Sequence, residues 1–237
     1  LSEERGINPD MAISISHKLG WKHLSVRVGL SADMADRNAR LTKDAAKIKA
    51  KKSILSIDLA KTSQDYYLDT SKTNFDAQVL YCEEISAEQY SSLSFSNEVS
   101  ETPTHLVVLD RTLFYPEGGG QLGDQGLFIL DSGHRINVLD TKIEDEVIIH
   151  FTNSELNVGP INAEVNTLRR IQLMDHHTAV HIVGGAARKI LGPHIRQAGS
   201  NKGQKYARID LTHHSRMSRE LLDLIEDEAN NLVLSNP

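Results

Sequence analysis

Between about residue 75 and residue 165 the chain repeats one pattern, and that pattern restricts the fold more than any other feature. Short β-like runs occupy residues 77–81, 105–109, 127–130, 136–139, 147–151 and 161–165, separated by turn formers such as Asp131-Ser132-Gly133 and Gly159-Pro160. Runs this short, punctuated this often, are strands, and several in succession predict a small barrel or a sandwich.

The pattern changes after Arg169-Arg170. Leu173, Ala179, Ile182, Val183, Ala186 and Ile190 recur at helical intervals, and Gly192-Pro193 supplies a stop, so a long helix is expected here. A loop at residues 199–203 then leads into a strand at 206–211, where Ala207, Ile209 and Leu211 alternate with Tyr206, Arg208 and Asp210. A last helix presents Met217, Leu221, Leu224, Ile225 and Leu232 to the core. Helix, strand, helix adds an α+β portion to the β-rich one. Towards the N-terminus, Asn8-Pro9 caps a short helix at residues 11–19 that Gly20 ends. Residues 31–52 combine helix formers with Arg37, Arg40, Lys43, Lys47, Lys49, Lys51 and Lys52. That stretch is either a solvated helix face or a phosphate-contacting surface. Residues 53–73, containing Tyr66-Tyr67, read as a linker.

With 237 residues, 39% hydrophobic and 24% charged, the chain buries a real core. It has no apolar run long enough to cross a bilayer, and a soluble, cytoplasmic protein without a membrane partner is expected. A single cysteine, Cys82, excludes an internal disulfide framework and any thiolate-rich zinc site built from this chain alone. The start at Leu1 without Met and the finish at Pro237 directly after a helix read as a piece of a longer protein. The net charge of -6 argues against a nonspecific nucleic-acid coat, DNA included, although local charge is uneven.

Within the long helix, His176-His177-Thr178-Ala179-Val180-His181 places His177 and His181 on one face, where two imidazoles can grip one metal ion. Two hydrogen-bonded surface imidazoles are the alternative. A metalloprotease would need Glu where Thr178 stands, which makes that reading a poor one. Gly118-Gly119-Gly120-Gln121, after Phe114-Tyr115-Pro116-Glu117, either lets backbone approach a ligand closely or is a hairpin turn. Arg188, Lys189, His194, Arg196, Lys202, Lys205 and Arg208 gather positive charge around the histidine helix and the loop after it, pointing to an anionic substrate. His213-His214 reads as structural rather than ligating.

Taken in order, Phe114 to Gln121, Arg169-Arg170, His176 to His181, Gln197-Ala198-Gly199-Ser200 and Ala207-Arg208-Ile209-Asp210 resemble the editing domain of alanyl-tRNA synthetases. Asp65-Tyr66-Tyr67-Leu68-Asp69, leading into Phe75-Asp76-Ala77, is similar to the junction in the archaeal form, and residues 1–21 are similar to the end of its helical tRNA-recognition region. The resemblance implies three parts: residues 1–70 as that helical end plus a linker, 71–166 as a β-barrel, and 167–237 as an α+β editing core cut short at its C-terminal side.

It also implies a function. The family attaches alanine to its tRNA with ATP and Mg on a domain absent here, and its editing region hydrolyses serine or glycine wrongly esterified to tRNA(Ala), with zinc. By motif match the first two zinc ligands are His177 and His181. The other two, a Cys and a His, lie further along the family sequence than Pro237. Val180 departs from the Thr usual there. Zinc would lower the pKa of a water to about 7 or polarise the ester carbonyl. Thr178 and Gln121 would receive the serine hydroxyl, which alanine lacks, a difference of roughly 1–3 kcal/mol per buried group. Gly118, Gly119, Gly120, Gln197, Ser200, Arg169, Arg170, Lys202, Lys205, Arg208, Lys47 and Lys51 are the expected tRNA-binding residues. The expected partners are tRNA(Ala) and the other domains of the same synthetase. A non-catalytic tRNA-binding module, a free-standing deacylase and an elongation-factor-like barrel are the competing readings. Residues 1–64 argue against the second, and the histidine pair against the third.

Overall fold

In chain order the strands are β1 (Leu24–Leu30), β2 (Ser63–Gln64), β3 (Asn74–Glu84), β4 (His105–Leu109), β5 (Arg111–Thr112), β6 (Gly126–Ile129), β7 (Arg135–Glu144), β8 (Val147–Thr152), β9 (Gly159–Val165), β10 (Gln197–Lys202) and β11 (Ala207–His213). The helices are α1 (Ala87–Leu93), α2 (Thr167–Leu191) and α3 (Arg219–Ser235). The computed structural model describes the backbone of Leu24–Leu30 and residues 54–55, 57–68, 71–93 and 99–235. The predicted helix at 11–19 and the basic stretch with Lys47 and Lys51 lie outside the described residues. The described residues form two compact units, one within Ser53–Ile171 and one joining β1 to the chain from Gln172 onward.

In the first unit, β3-β4-β8-β7-β6-β9 close into a barrel. Every neighbouring pair is antiparallel, with Phe75 opposite Ala163 and Val107 opposite His150. The sequence left barrel and sandwich open, and closure decides between them. All six expected strands are present, most of them longer than the apolar runs that announced them, because the alternating polar positions also pair in the ladders. The interior is filled by Phe75, Val79, Val107, Phe114, Phe128, Ile136 and their neighbours. Phe114 and Phe128 are fully buried, with ring centroids 5.9 Å apart in an edge-on arrangement.

β4 and β8 read as continuous apolar runs because both of their faces are covered. Val107 and Leu109 enter the barrel core, while Leu106, Val108, Ile149 and Phe151 join a second cluster with Ile85, Tyr90 and Leu93. Helix α1, which the sequence did not signal clearly, supplies Tyr90 and Leu93 to that cluster. Inside the barrel, His150 is fully buried. Its Nδ1–H donates to the Val107 carbonyl at 3.2 Å, so Nε2 accepts from the Thr112 hydroxyl at 2.9 Å, which accepts in turn from the Phe114 amide at 3.0 Å. With both nitrogens satisfied in the neutral form, burial pushes the His150 pKa down to about 4.

The segment read as a linker is partly ordered structure. β2 pairs with β5, and Asp65 opens a short 3-10 turn (Asp65–Tyr67) while accepting from Arg111 Nε at 2.7 Å and Ser63 Oγ at 2.7 Å.

The second unit is a three-stranded sheet, β1-β11-β10, with β1 parallel and β10 antiparallel to β11. Two expectations are corrected here. The stretch at 199–203 is mostly strand rather than loop, and β1 was not foreseen. β10 carries the sequence QAGSNK, which lacks any apolar alternation; its strand character comes from pairing with β11, not from its own side chains. β11 alternates as expected, with Ala207, Ile209 and Leu211 buried. Against them pack Ala179, Val180, Val183, Ala186 and Ala187 of α2 and Leu222, Ile225 and Ala229 of α3. Leu224, expected in the core, is 51% exposed, and Leu222 takes its place. Met217 is buried but precedes α3.

Candidate functional site

The glycine-rich element is a hairpin turn. Gly118 N–H donates to Gln121 O at 3.0 Å and Gln121 N–H to Gly118 O at 2.9 Å, with Gly119 and Gly120 at φ 57° and 81°. Two successive positive φ values make a type I′ turn, which glycine adopts without penalty. Gln121, at the end of the turn, is 5% exposed. Gly123 follows, and a Cβ there would lie 2.2 Å from the Thr141 carbonyl, so the backbone passes where no side chain fits.

Arg169 and Arg170, expected to bind substrate or tRNA, are 3% and 5% exposed. Arg169 donates from Nη2 to Gly123 O at 3.1 Å; Arg170 donates to Leu113 O and, from Nε, to Asp124 Oδ2 at 3.0 Å. The Tyr115 amide also donates to Asp124 Oδ2, at 2.7 Å. The two guanidiniums therefore hold the glycine-containing loop in place. Nearby, Lys142 lies between Glu117 and Asp140, 3.1 Å from Asp140 Oδ2. Burial alone would lower its pKa, but the two carboxylates outweigh burial and hold the ammonium above its usual range.

In the second unit α2 carries the histidines on two faces. His176 is fully buried and donates from Nδ1 to Gly203 O at 2.6 Å, fixing the helix to the turn between β10 and β11. His177 and His181 share the other face, with ring centroids 5.0 Å apart and planes 20° apart. Two imidazoles holding one tetrahedral zinc at about 2.0–2.1 Å have centroids about 5 Å apart. The spacing matches that separation, while the two rings lie nearly parallel, stacked on one another. Among the described residues no third His, Cys, Asp or Glu joins them. Burial first, then the Lys202 ammonium and His181, lower the His177 pKa and favour the neutral ring that a metal requires. Val180 is fully buried in the core cluster beneath the helix.

The remaining expected residues cluster on the same unit. Thr178 is exposed, and its hydroxyl donates to Met174 O at 3.1 Å within its own helix. On β10, Ser200 Oγ accepts from Gln197 Nε2 at 3.1 Å and from Lys202 Nζ at 2.8 Å. Lys202 is 1% exposed, and burial lowers its pKa. Lys205 is exposed, and Arg208 pairs with Asp210 at 3.2 Å. Gln121 and Gly118–Gly120 belong to the barrel unit, His177, Thr178 and His181 to the other. Sequence reasoning missed the burial of Lys202, because a lysine in a polar strand gives no signal of it. It also missed a cluster of His194, His213 and His214. There a signal existed: continuing the alternation of Ala207, Ile209 and Leu211 turns His213 inward.

Among the described residues no helix is long and apolar enough to cross a membrane. Residues 21–168 match the family described as tRNA synthetases class II (A). The whole chain is 36% identical to an alanine–tRNA ligase of Haloquadratum walsbyi, covering 24% of that relative. It is 42% identical over 180 residues to one of Halobacterium salinarum and 42% over 149 residues to one of Metallosphaera sedula. These alignments cover 76% and 62% of this chain, and 18% and 16% of the relatives. The chain therefore spans a quarter or less of the length of these relatives. It belongs to the alanyl-tRNA synthetase family.

Proposed function

We propose that this chain is the proofreading portion of an alanine–tRNA ligase, hydrolysing serine or glycine esterified in error to tRNA(Ala). The observation that carries the reading is the matched pair His177 and His181, neutral-leaning and spaced for one zinc ion on a helix whose opposite face is locked into the core. A tetrahedral site needs one or two ligands besides this pair. When bound, zinc supplies Lewis acidity towards the ester carbonyl and its attacking water. His177 and His181 hold it, and His176 fixes the rotation of the helix that presents them. Lys202, buried beside His177 with Nζ on the Ser200 hydroxyl, helps keep that ring neutral. Lys205, exposed at the β10–β11 turn, adds charge on the same strand pair. In the whole protein, an ATP- and Mg-dependent domain attaches alanine to the same tRNA.

The test uses the full-length enzyme supplied with serine in place of alanine. Changing His181 to Ala should reduce zinc content and let Ser-tRNA(Ala) accumulate, while alanine attachment continues. Accumulation unchanged from the parent enzyme would remove the metal role from this pair.

A further inference from the structure

Three more imidazoles meet at the far end of α2. His194 follows the helix-ending turn, His213 ends β11 and His214 comes next. One nitrogen from each lies within 4.8 Å of the others. Ring centroids are 5.3 Å apart for His194 and His213, 5.6 Å for His194 and His214, and 4.5 Å for His213 and His214. His194 Nε2 and His213 Nδ1 are 3.1 Å apart, so one ring donates its N–H to the lone pair of the other and a single proton is shared between them.

The backbone holding these rings is fixed. Thr212 Oγ1 donates to His194 O at 2.9 Å and accepts from Arg196 N–H at 2.9 Å, and Thr212 N–H donates to Arg196 O at 2.9 Å. Ile195 N–H closes the turn onto Gly192 O at 3.2 Å. Gly192 adopts φ 107°, and a Cβ there would come within 3.4 Å of His194 Nδ1, so the glycine also keeps space open beside that ring. The segment bearing His194 is thus bonded to the residue directly before His213.

We propose that His194, His213 and His214 form a second cation site, separate from His177 and His181, which takes a divalent transition metal. Three neutral nitrogen donors with no thiolate select zinc, copper, nickel or cobalt over magnesium or calcium. The nitrogens already lie within 4.8 Å of one another, close to the roughly 3.4 Å separation of a tetrahedral set. The metal replaces the proton shared by His194 and His213. His194 and His214 are exposed and His213 is buried, so the ion sits at the surface with a coordination position open to solvent or to an anionic ligand.

The probe is Co2+, read by its visible absorption and displaced by Zn2+, on the untagged 237-residue chain. His177→Gln with His181→Gln serves as the background, so that the helix pair contributes nothing. One Co2+ per chain is expected in that background, weakened roughly tenfold or more by His194→Gln and separately by His214→Gln. Both changes are at exposed positions, and unchanged circular dichroism confirms the fold. No Co2+ bound in the background, or binding indifferent to both substitutions, overturns the site.

Discussion

At the scale of single residues, the barrel unit is held by buried polar groups whose partners lie far apart in sequence. His150 is the clearest case. Its folded-state pKa of about 4 lies below the ordinary value of 6.5, so between those values the unfolded chain binds a proton that the folded chain refuses. Stability contributed by this group is therefore complete above about pH 6.5 and is lost as pH falls towards 4, by about 3 kcal/mol in all. Urea midpoints followed by circular dichroism from pH 7.5 to 4 should fall steeply, and more gently after His150→Gln; parallel profiles would contradict this. The Arg170–Asp124 contact gives a second expectation. Arg170→Ala leaves a buried carboxylate without its cation and should cost about 3–5 kcal/mol in the same assay. Arg170→Lys should recover only part, since an ammonium cannot reach Asp124 and the Leu113 carbonyl with the same fork.

At the scale of elements, the glycine-rich hairpin offers a clean measurement. A Cβ at Gly119 meets nothing within 4 Å, so a substitution there reports backbone strain alone. Gly119→Val should lower stability by about 1–2 kcal/mol, and Gly119→Asn by only a few tenths. Equal thermal midpoints for the two variants would contradict the type I′ geometry. The same scale shows what could be read in advance. Strands with long or alternating apolar runs announced themselves, as in β4 and β8, and α2 did so through its repeating apolar stripe. β10 stayed hidden because nothing in QAGSNK alternates, and its pairing is dictated by β11. His177 and His181 were legible because helical spacing alone sets their separation. Arg169 and Arg170 were not, since a buried arginine and a surface one look alike until the loop carbonyls that receive them are placed.

At the scale of the whole molecule, the barrel unit and the sheet-and-helix unit each carry their own core, and the histidine face belongs to the second. The histidine helix is packed from behind: His176 bonds to Gly203, and Val180 and Val183 fill the core beneath the helix. Such backing keeps the two imidazoles in register with each other. Single-turnover hydrolysis of purified Ser-tRNA(Ala) by the full-length enzyme tests this most directly. Replacing His177 and His181 together by Ala should slow the reaction by at least about a hundredfold while leaving tRNA affinity nearly intact; hydrolysis at the parental rate would show that the pair takes no part in it.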